Sequence, residues 1–325
     1  MQKMTPLCDL CGEAMNEPEL TGPDFRVGLS TPFTLFKCRC CGLVSLQPQP
    51  SDMELAPHYP DWLWEDTLDH GTTRGTARGI ARGIARVSKF DPIIELLSRR
   101  HPQPGRLLDV GCGPGDFVLA VGKLHWQASG IEISRRQVEA GLQRGAALSV
   151  CEDFSHYTGA APYDVITFNH VLEHVRSPRA YLQQARKLLK PDGTLIIAVP
   201  NYNSLSRRVF GAYWMHVDLP RHLFHFTPST LTRLLKSTGF HVVQTCFSDL
   251  EQDSLGARES LRRWLKYGLL RRPMSAHGSR SPMELALAAR ALRYLYRKLG
   301  DGMARATESV HMADTFTIVA TCQSS

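Results

Sequence analysis

The chain reads Asp109-Val110-Gly111-Cys112-Gly113-Pro114-Gly115 directly after the apolar pair Leu107-Leu108. The apolar residues predict a buried strand, the glycines a turn, and residues 116–121 the start of a helix. Three glycines in five residues let the backbone approach a ligand where any Cβ would collide. Because α/β proteins hold nucleotide-like cofactors on a strand, glycine turn and helix in this order, the segment predicts an α/β fold with a ligand at the turn.

An acidic residue, Glu132, ends the next predicted strand at residues 128–133. A carboxylate about 20 residues beyond the glycines can accept hydrogen bonds from both ribose hydroxyls of a cofactor. This spacing also fits an NAD site. However, Asp109 before the turn and Asp116 at the helix start would repel a pyrophosphate and attract a cation. The charges therefore favour a cofactor with an ammonium and a sulfonium group.

Further segments extend this pattern along the chain. Acidic and aromatic residues follow the third predicted strand, a segment with two histidines and a glutamate follows the fourth, and Lys-Pro-Asp-Gly precedes the apolar residues of the fifth. These segments are Glu152–Phe154, Tyr163–Asn169, His170–Val175 and Leu188–Asn201. With the glycine turn, residues 105–247 and a last strand near 315–321 resemble the class I S-adenosylmethionine-dependent methyltransferases.

The resemblance implies a Rossmann-like, seven-stranded methyltransferase sheet and S-adenosylmethionine as the cofactor. It implies cofactor contacts in the turn, on the ribose, around the adenine and near the reacting methyl group. The residues at those positions are Asp109, Gly111, Gly113 and Gly115 in the turn, Glu132 on the ribose, Asp153 and Phe154 at the adenine, and Asn169 near the methyl group. The alternative is a Rossmann-like domain that binds no cofactor.

Length and composition are those of a soluble protein with two domains. The chain has 325 residues, of which 43% are hydrophobic and 21% charged; both fractions are ordinary for globular proteins. No apolar run approaches the roughly 20 residues that span a bilayer. Lys3 is not followed by the apolar run of a signal peptide. We therefore expect a cytoplasmic location.

Two Cys-x-x-Cys-Gly motifs near the start predict a structural zinc ribbon over residues 1–50. Two thiolates three positions apart on a tight turn occupy two corners of a tetrahedron, so two such turns complete a closed site. The ligands by this pattern are Cys8, Cys11, Cys38 and Cys41. Cys40 could replace Cys41, and a free-thiol or redox pair is the alternative to zinc.

Residues 43–50 and Tyr59 extend the resemblance to a methyltransferase subgroup with this ribbon upstream of the catalytic domain. Members of that subgroup are often associated with glycan, lipid-linked sugar or natural-product pathways. The resemblance therefore implies an acceptor from one of these classes.

Residues 51–104 are expected to form a helical linker between the ribbon and a catalytic domain over 105–325. Arginines recur every fourth residue at 74, 78, 82 and 86, with a glycine after each of the first three. In a helix they share one face, which predicts either a solvated connector or a phosphate-binding stripe.

A basic helical insertion is predicted at residues 250–311, before the last strand. It holds twelve Lys or Arg against six Asp or Glu, and residues 285–299 have an apolar helical stripe. Such helices cap a substrate cleft or form a homodimer face. A membrane-surface element for a lipid-linked substrate is the alternative. RNA binding is a third possibility, although no aromatic-rich RNA-binding signature accompanies the charge.

The candidate catalytic residues lie after the fourth and fifth strands of the predicted sheet. His222 is the first choice for the base that removes an acceptor proton, and His170 is the second. The alternative for His222 is a structural role that ties its loop to a helix starting near Thr227.

His170, Glu173 and His174 would share a helix face if a helix begins there. This segment resembles the ubiquinone-biosynthesis O-methyltransferases, whose matching glutamates and histidine can hold a divalent metal. Here His170 replaces the first glutamate. Metal binding and an ordinary Glu–His hydrogen bond both stay open.

The sequence therefore predicts methyl transfer from S-adenosylmethionine to a hydroxyl or carbon of a small-molecule acceptor, sugar-containing or lipid-linked. An RNA methyltransferase and a non-catalytic adenosylmethionine-binding scaffold are the alternatives.

Overall fold

The computed structural model describes residues 6–60, 62, 90–159, 162–247, 250–269 and 312–323. The predicted arginine stripe at 74–86 and the apolar helical stripe predicted at 285–299 lie outside the described residues. Within the described ranges, no helix has both the length and the apolar character needed to cross a bilayer.

A four-stranded antiparallel sheet forms the N-terminal part of the fold. Its strands, in spatial order, are β1 (Glu17–Asp24), β2 (Leu29–Lys37), β3 (Val44–Leu46) and β9 (Phe224–His225). Three of them come from the first fifty residues and the fourth from far along the chain. The ribbon segment is therefore completed by a strand from the part of the chain predicted to be catalytic, residues 105–325, which is called the catalytic region below.

A seven-stranded sheet forms the catalytic region, as the sequence predicted. Its strands are β4 (Arg106–Val110), β5 (Gln127–Glu132), β6 (Leu148–Val150), β7 (Tyr163–Asn169), β8 (Leu189–Pro200), β10 (Phe240–Cys246) and β11 (Thr315–Cys322). The spatial order is β10-β11-β8-β7-β4-β5-β6. All neighbours are parallel except β11, which runs antiparallel to both β8 and β10.

The strand order reverses between β4 and β7, because β5 and β6 extend the sheet to one side and β7 and β8 to the other. Ligands bind at such a switch point, beyond the carboxyl ends of the strands. The central strands are buried on both faces, with Leu108, Ile166 and Ile197 fully inaccessible. This burial explains their continuous apolar sequence.

Eight α-helices lie in the described ranges. They are α1 (Asp52–Leu55), α2 (Asp91–Arg100), α3 (Asp116–Gly122), α4 (Arg135–Gln143), α5 (Pro178–Leu188), α6 (Leu205–Phe210), α7 (Pro228–Ser237) and α8 (Leu250–Arg263). Helix α7 starts after Thr227, whose side chain caps it, as predicted. Helix α8 opens the predicted insertion and continues as one π-helical segment, Trp264–Leu269.

The helix expected to start at the end of β7 does not form. Residues 171–176 make turns, and the next helix, α5, begins at Pro178 after the Ser177 cap. His170 has φ 56°, a left-handed conformation that an α-helix cannot contain. In addition, the Glu173 carbonyl accepts hydrogen bonds from the Leu223 and Phe224 amides. The expected i, i+3, i+4 face is therefore replaced by an irregular turn.

Candidate functional site

The glycine turn lies at the carboxyl end of β4 and has the backbone that its glycines permit. Gly111, Gly113 and Gly115 have φ of 69°, 55° and 78°, which L-residues with side chains rarely adopt. A Cβ on Gly111 would lie 2.5 Å from the Val171 side chain. The turn is tied to β5 because the Gly111 amide donates to the Ile131 carbonyl at 2.8 Å.

Glu132 ends β5 directly beside this turn. Its carboxylate accepts the Gly113 amide at 3.1 Å through one oxygen and the Ser134 amide at 3.0 Å through the other. Each carboxylate oxygen has two acceptor sites, so these bonds leave capacity for ribose hydroxyls. The position fits the predicted role of Glu132.

The two carboxylates used to argue against a pyrophosphate differ in their surroundings. Asp109 is buried and accepts the Thr167 hydroxyl at 2.6 Å. Asp116 pairs with Arg144 at 2.5 Å, so its negative charge is offset. The sequence-based argument for a cationic cofactor used both carboxylates, but in the structure only Asp109 supports it.

The adenine-side positions follow β6. Asp153 accepts the Ser155 amide at 2.9 Å and is exposed. The Phe154 ring packs in the core against Phe168 and Tyr181, with centroids 5.5 Å from each. Contact of Asp153 and Phe154 with an adenine stays a prediction.

His170 follows Asn169 at the carboxyl end of β7. Its Nδ1 lies 3.1 Å from Oε1 of Glu173. A carboxylate only accepts hydrogen bonds, so the ring donates Nδ1–H to it, and in the neutral form of the ring the lone pair is on Nε2. The His170 side chain is 27% exposed, whereas Glu173 is 1% exposed. The arrangement is a histidine oriented by a buried carboxylate.

His222 has different surroundings from His170. Its Nδ1 donates to the His216 carbonyl at 2.8 Å, and its ring meets the His174 ring edge-on at 4.6 Å. Burial, and then the neighbouring His174, lower the pKa of His222 well below its ordinary value. His222 is therefore a buried, neutral imidazole.

One mixed group of possible metal ligands lies here, but it is not the predicted one. Glu173, His174 and His222 have ligand atoms within 4.8 Å of one another, and His170 is outside the group. The Nδ1 of His174 donates to the Arg221 carbonyl at 3.1 Å. Two imidazoles and one carboxylate are a donor set that first-row transition metals accept.

A buried ion cluster around Arg221 was not foreseen from the sequence. The guanidinium donates to both oxygens of Asp24, at 2.7 and 2.8 Å, and to both oxygens of Asp218, at 3.1 and 2.8 Å. His58 contributes its carbonyl at 2.9 Å to Arg221 and its Nδ1 at 2.6 Å to Asp24. Arg221 therefore joins the ribbon, through Asp24, and the linker, through His58, to its own loop at residues 212–227.

Asp314, before β11, is a second residue that the sequence did not single out. Its Oδ1 accepts Nε1 of Trp214 at 3.1 Å, while its Oδ2 has no hydrogen-bond partner among the described residues. Burial raises the pKa of Asp314 to about 6. Gly256 of α8 packs over this carboxylate and over Nε2 of His216, so the insertion helix covers this side of the site.

The four predicted zinc ligands form one compact group. Sγ of Cys8 lies 3.4 Å from that of Cys41, and Sγ of Cys11 lies 3.5 Å from that of Cys38. All four sulfurs are within 4.8 Å of one another. A tetrahedral zinc with bonds of about 2.3 Å separates its sulfurs by about 3.8 Å. The thiols therefore fit a structural zinc, and Cys40 is exposed outside the group.

Comparison with known proteins gives one family and several relatives. Residues 81–245 match the family model described as "Methyltransferase domain". A ubiquinone biosynthesis O-methyltransferase from Cereibacter sphaeroides (strain KD131 / KCTC 12085) is 30% identical over 150 residues, which are 42% of this chain and 61% of that protein. Its counterpart from Maricaulis maris (strain MCS10) is 29% identical over 157 residues, 44% and 62% of the two chains.

The alignments thus span about three fifths of the curated relatives. Among solved structures, a SAM-dependent methyltransferase from Archaeoglobus fulgidus is 20% identical, with a TM-score of 0.45 over 72% of this chain and 94% of that one.

Proposed function

The chain belongs to the methyltransferase-domain family, and on that premise we propose that it transfers a methyl group from S-adenosylmethionine to a small-molecule acceptor. The observation that carries the proposal is the His170–Glu173 pair, which lies after β7, next to the switch point where the glycine turn and Glu132 lie. A donor site and an oriented base thus share one edge of the sheet.

The donor side of the proposed site is formed by the turn and by Glu132. Gly111, Gly113 and Gly115 bring the backbone close to the ligand, and Glu132 accepts hydrogen bonds from the ribose. Asp153 and Phe154 would lie at the adenine and Asn169 near the methyl group. The buried charge of Asp109 favours a cation over a phosphate at the turn.

Methyl transfer is an in-line displacement at the methyl carbon. When bound, S-adenosylmethionine would supply the methyl group on its sulfonium; the C–S bond would break with its electron pair left on sulfur as an acceptor oxygen bonds to the methyl carbon. The acceptor hydroxyl gives its proton to Nε2 of His170, and the Glu173 carboxylate stabilises the imidazolium that results. The chain otherwise aligns the two reactants and excludes water.

His170 is favoured over His222 as the base because its side chain is the more accessible. The ring of His170 is 27% exposed, whereas that of His222 is 7% exposed. A base must come within about 3 Å of the proton that it removes. His222 then has the structural role that the sequence left as its alternative.

The acceptor is proposed to be a hydroxyl of a sugar-containing or lipid-linked molecule. The curated relatives are named O-methyltransferases, which supports oxygen over carbon. The ribbon resemblance supports the glycan and lipid-linked classes. A cytoplasmic location is proposed with it, supported by nine cysteines of which none forms a disulfide.

A structural zinc in the ribbon is part of the proposal. Cys8, Cys11, Cys38 and Cys41 would hold it, and a closed four-thiolate shell leaves no position for substrate. This zinc would stabilise the two Cys-x-x-Cys-Gly turns, which are called the knuckles below.

The test supplies the purified chain with methyl-labelled S-adenosylmethionine and separate pools of glycans, lipid-linked sugars, other small molecules and RNA. Label in one of the first three pools, dependent on His170, supports the proposal. Label in RNA alone would establish the RNA alternative. Binding without transfer to any pool would leave the non-catalytic scaffold.

A further inference from the structure

We infer that the N-terminal ribbon positions His170 and Glu173, so that the proposed site is incomplete without the ribbon. This inference rests on the proposed role of His170 and Glu173. It assigns to the ribbon a function beyond its own folding.

The ribbon reaches His170 and Glu173 through the backbone of one residue, Leu223. The Leu46 amide, at the end of β3, donates to the Leu223 carbonyl at 2.8 Å, and the Leu223 amide donates to the Glu173 carbonyl at 2.7 Å. Strand β3 also pairs with β9, with Val44 opposite His225 and Ser45 opposite Phe224. A backbone chain thus runs from the ribbon to Glu173, whose carboxylate holds His170.

The Arg221 cluster fixes the same loop from the other end of the ribbon. Asp24, at the end of β1, takes two hydrogen bonds from Arg221, and both side chains are at most 2% exposed. Charge-assisted, two-point bonds between buried groups are strong and directional. The Arg221 carbonyl accepts Nδ1 of His174, the neighbour of Glu173.

The knuckles themselves rest on two helices of the catalytic region. Arg179 of α5 donates to the Asp9 and Leu10 carbonyls at 3.1 and 2.8 Å. Arg233 of α7 donates to the Cys41 carbonyl at 3.3 Å. The ribbon is therefore attached to the catalytic region on several sides. If the four cysteines lose their mutual arrangement, β3, which follows Cys41, should lose its defined position.

The turn and Glu132, which form the donor half of the site, are attached to β5 and to the start of α4. The Gly111 amide donates to the Ile131 carbonyl in β5, and the Ser134 amide at the start of α4 donates to Glu132. Loss of the ribbon should therefore disturb His170 and spare cofactor binding. This separation distinguishes positioning from general destabilisation.

The experiment compares Asp24→Asn with Asp52→Asn, an exposed acid of α1 whose partner is Arg176. In each full-length protein, S-adenosylhomocysteine affinity is measured by calorimetry and the His170 ring nitrogens by ¹⁵N NMR, with His170→Gln for assignment. Hydrogen exchange is followed in 212–227 and in 106–132.

Asp24→Asn should shift the His170 resonances and speed exchange in 212–227 at least tenfold, while S-adenosylhomocysteine affinity stays within about twofold. Asp52→Asn should change none of these. Zinc removal by a chelator should reproduce the Asp24→Asn result, and added zinc should reverse it.

Unchanged His170 resonances after both treatments, with the cofactor product still bound, would overturn the coupling and leave the methyltransferase proposal intact. Failure of the wild type to bind S-adenosylhomocysteine would instead count against the proposed function.

Discussion

Glu173 is bonded to His170 through only one of its two carboxylate oxygens. Oε1 lies 3.1 Å from Nδ1 of His170, whereas Oε2 is buried without a hydrogen-bond partner among the described residues. A buried, unsatisfied carboxylate oxygen costs about 1–3 kcal/mol or more. Such a cost is typical of functional sites, and it supports the role proposed for Glu173.

The first prediction concerns the base. His170→Ala should lower turnover by about 10²–10⁴, the usual contribution of general-base catalysis, and His170→Gln should do the same. Steady-state kinetics with the identified acceptor measures this. His222→Ala should lower the melting temperature, since its imidazole is buried, and should leave turnover per folded molecule near that of the wild type. Loss of turnover with His222→Ala and not with His170→Ala would reverse the assignment.

The second prediction concerns the donor. Glu132→Gln should weaken S-adenosylmethionine binding by about tenfold to a hundredfold, because losing a charged hydrogen-bond acceptor costs about 1.5–3 kcal/mol. Calorimetry measures the effect. Glu139→Gln, an exposed change on α4, is the control and should bind as the wild type does. NAD binding in place of S-adenosylmethionine would contradict the assignment of the turn.

The third prediction concerns zinc. The purified chain should contain one zinc in its ribbon, and Cys8→Ser or Cys38→Ser should release it, because three thiolates cannot close the tetrahedral shell. Elemental analysis measures the metal content. Cys40→Ser should retain the zinc, since Cys40 is exposed outside the group. Loss of zinc with Cys40→Ser and not with a Cys41 variant would exchange the two ligands.

The fourth prediction concerns pH and Asp314. Its pKa is raised to about 6 by burial, so between pH 4 and 6 the native state binds a proton that the unfolded chain releases. Its contribution to stability is therefore present at low pH and is lost as pH rises through about 6. Asp314→Asn should be more stable than the wild type by up to about 3 kcal/mol at pH 8, with no advantage at pH 4.

Denaturant unfolding across this pH range tests the Asp314 prediction. His216, whose pKa is lowered to about 3 by burial, opposes the trend in both proteins and cancels in their difference. Asp192→Asn, an exposed change, should give no pH-dependent difference. An Asp314→Asn difference that is flat from pH 4 to 8 would show that the carboxyl titrates normally.

Local sequence determined the sheet and the turn and acid that we propose to hold the donor. Apolar runs long enough for one strand, glycines that alone accept positive φ, and an acid at a fixed distance are short-range signals, and each predicted its element correctly. The Cys-x-x-Cys-Gly knuckles likewise specified a thiol group, because each pair is fixed by its own turn.

The tertiary structure decided the acceptor half. The packing of residues 213–227 decides whether His170 or His222 is accessible. A local pattern of apolar and polar residues does not predict this packing. The pairing of Asp24 with Arg221 joins residues 197 positions apart, and Asp314, which the sequence did not single out, is buried. The expected helix after β7 does not form, because His170 has a left-handed backbone and the Glu173 carbonyl accepts the Leu223 and Phe224 amides. Contacts between distant segments set burial, and burial sets which side chains can react.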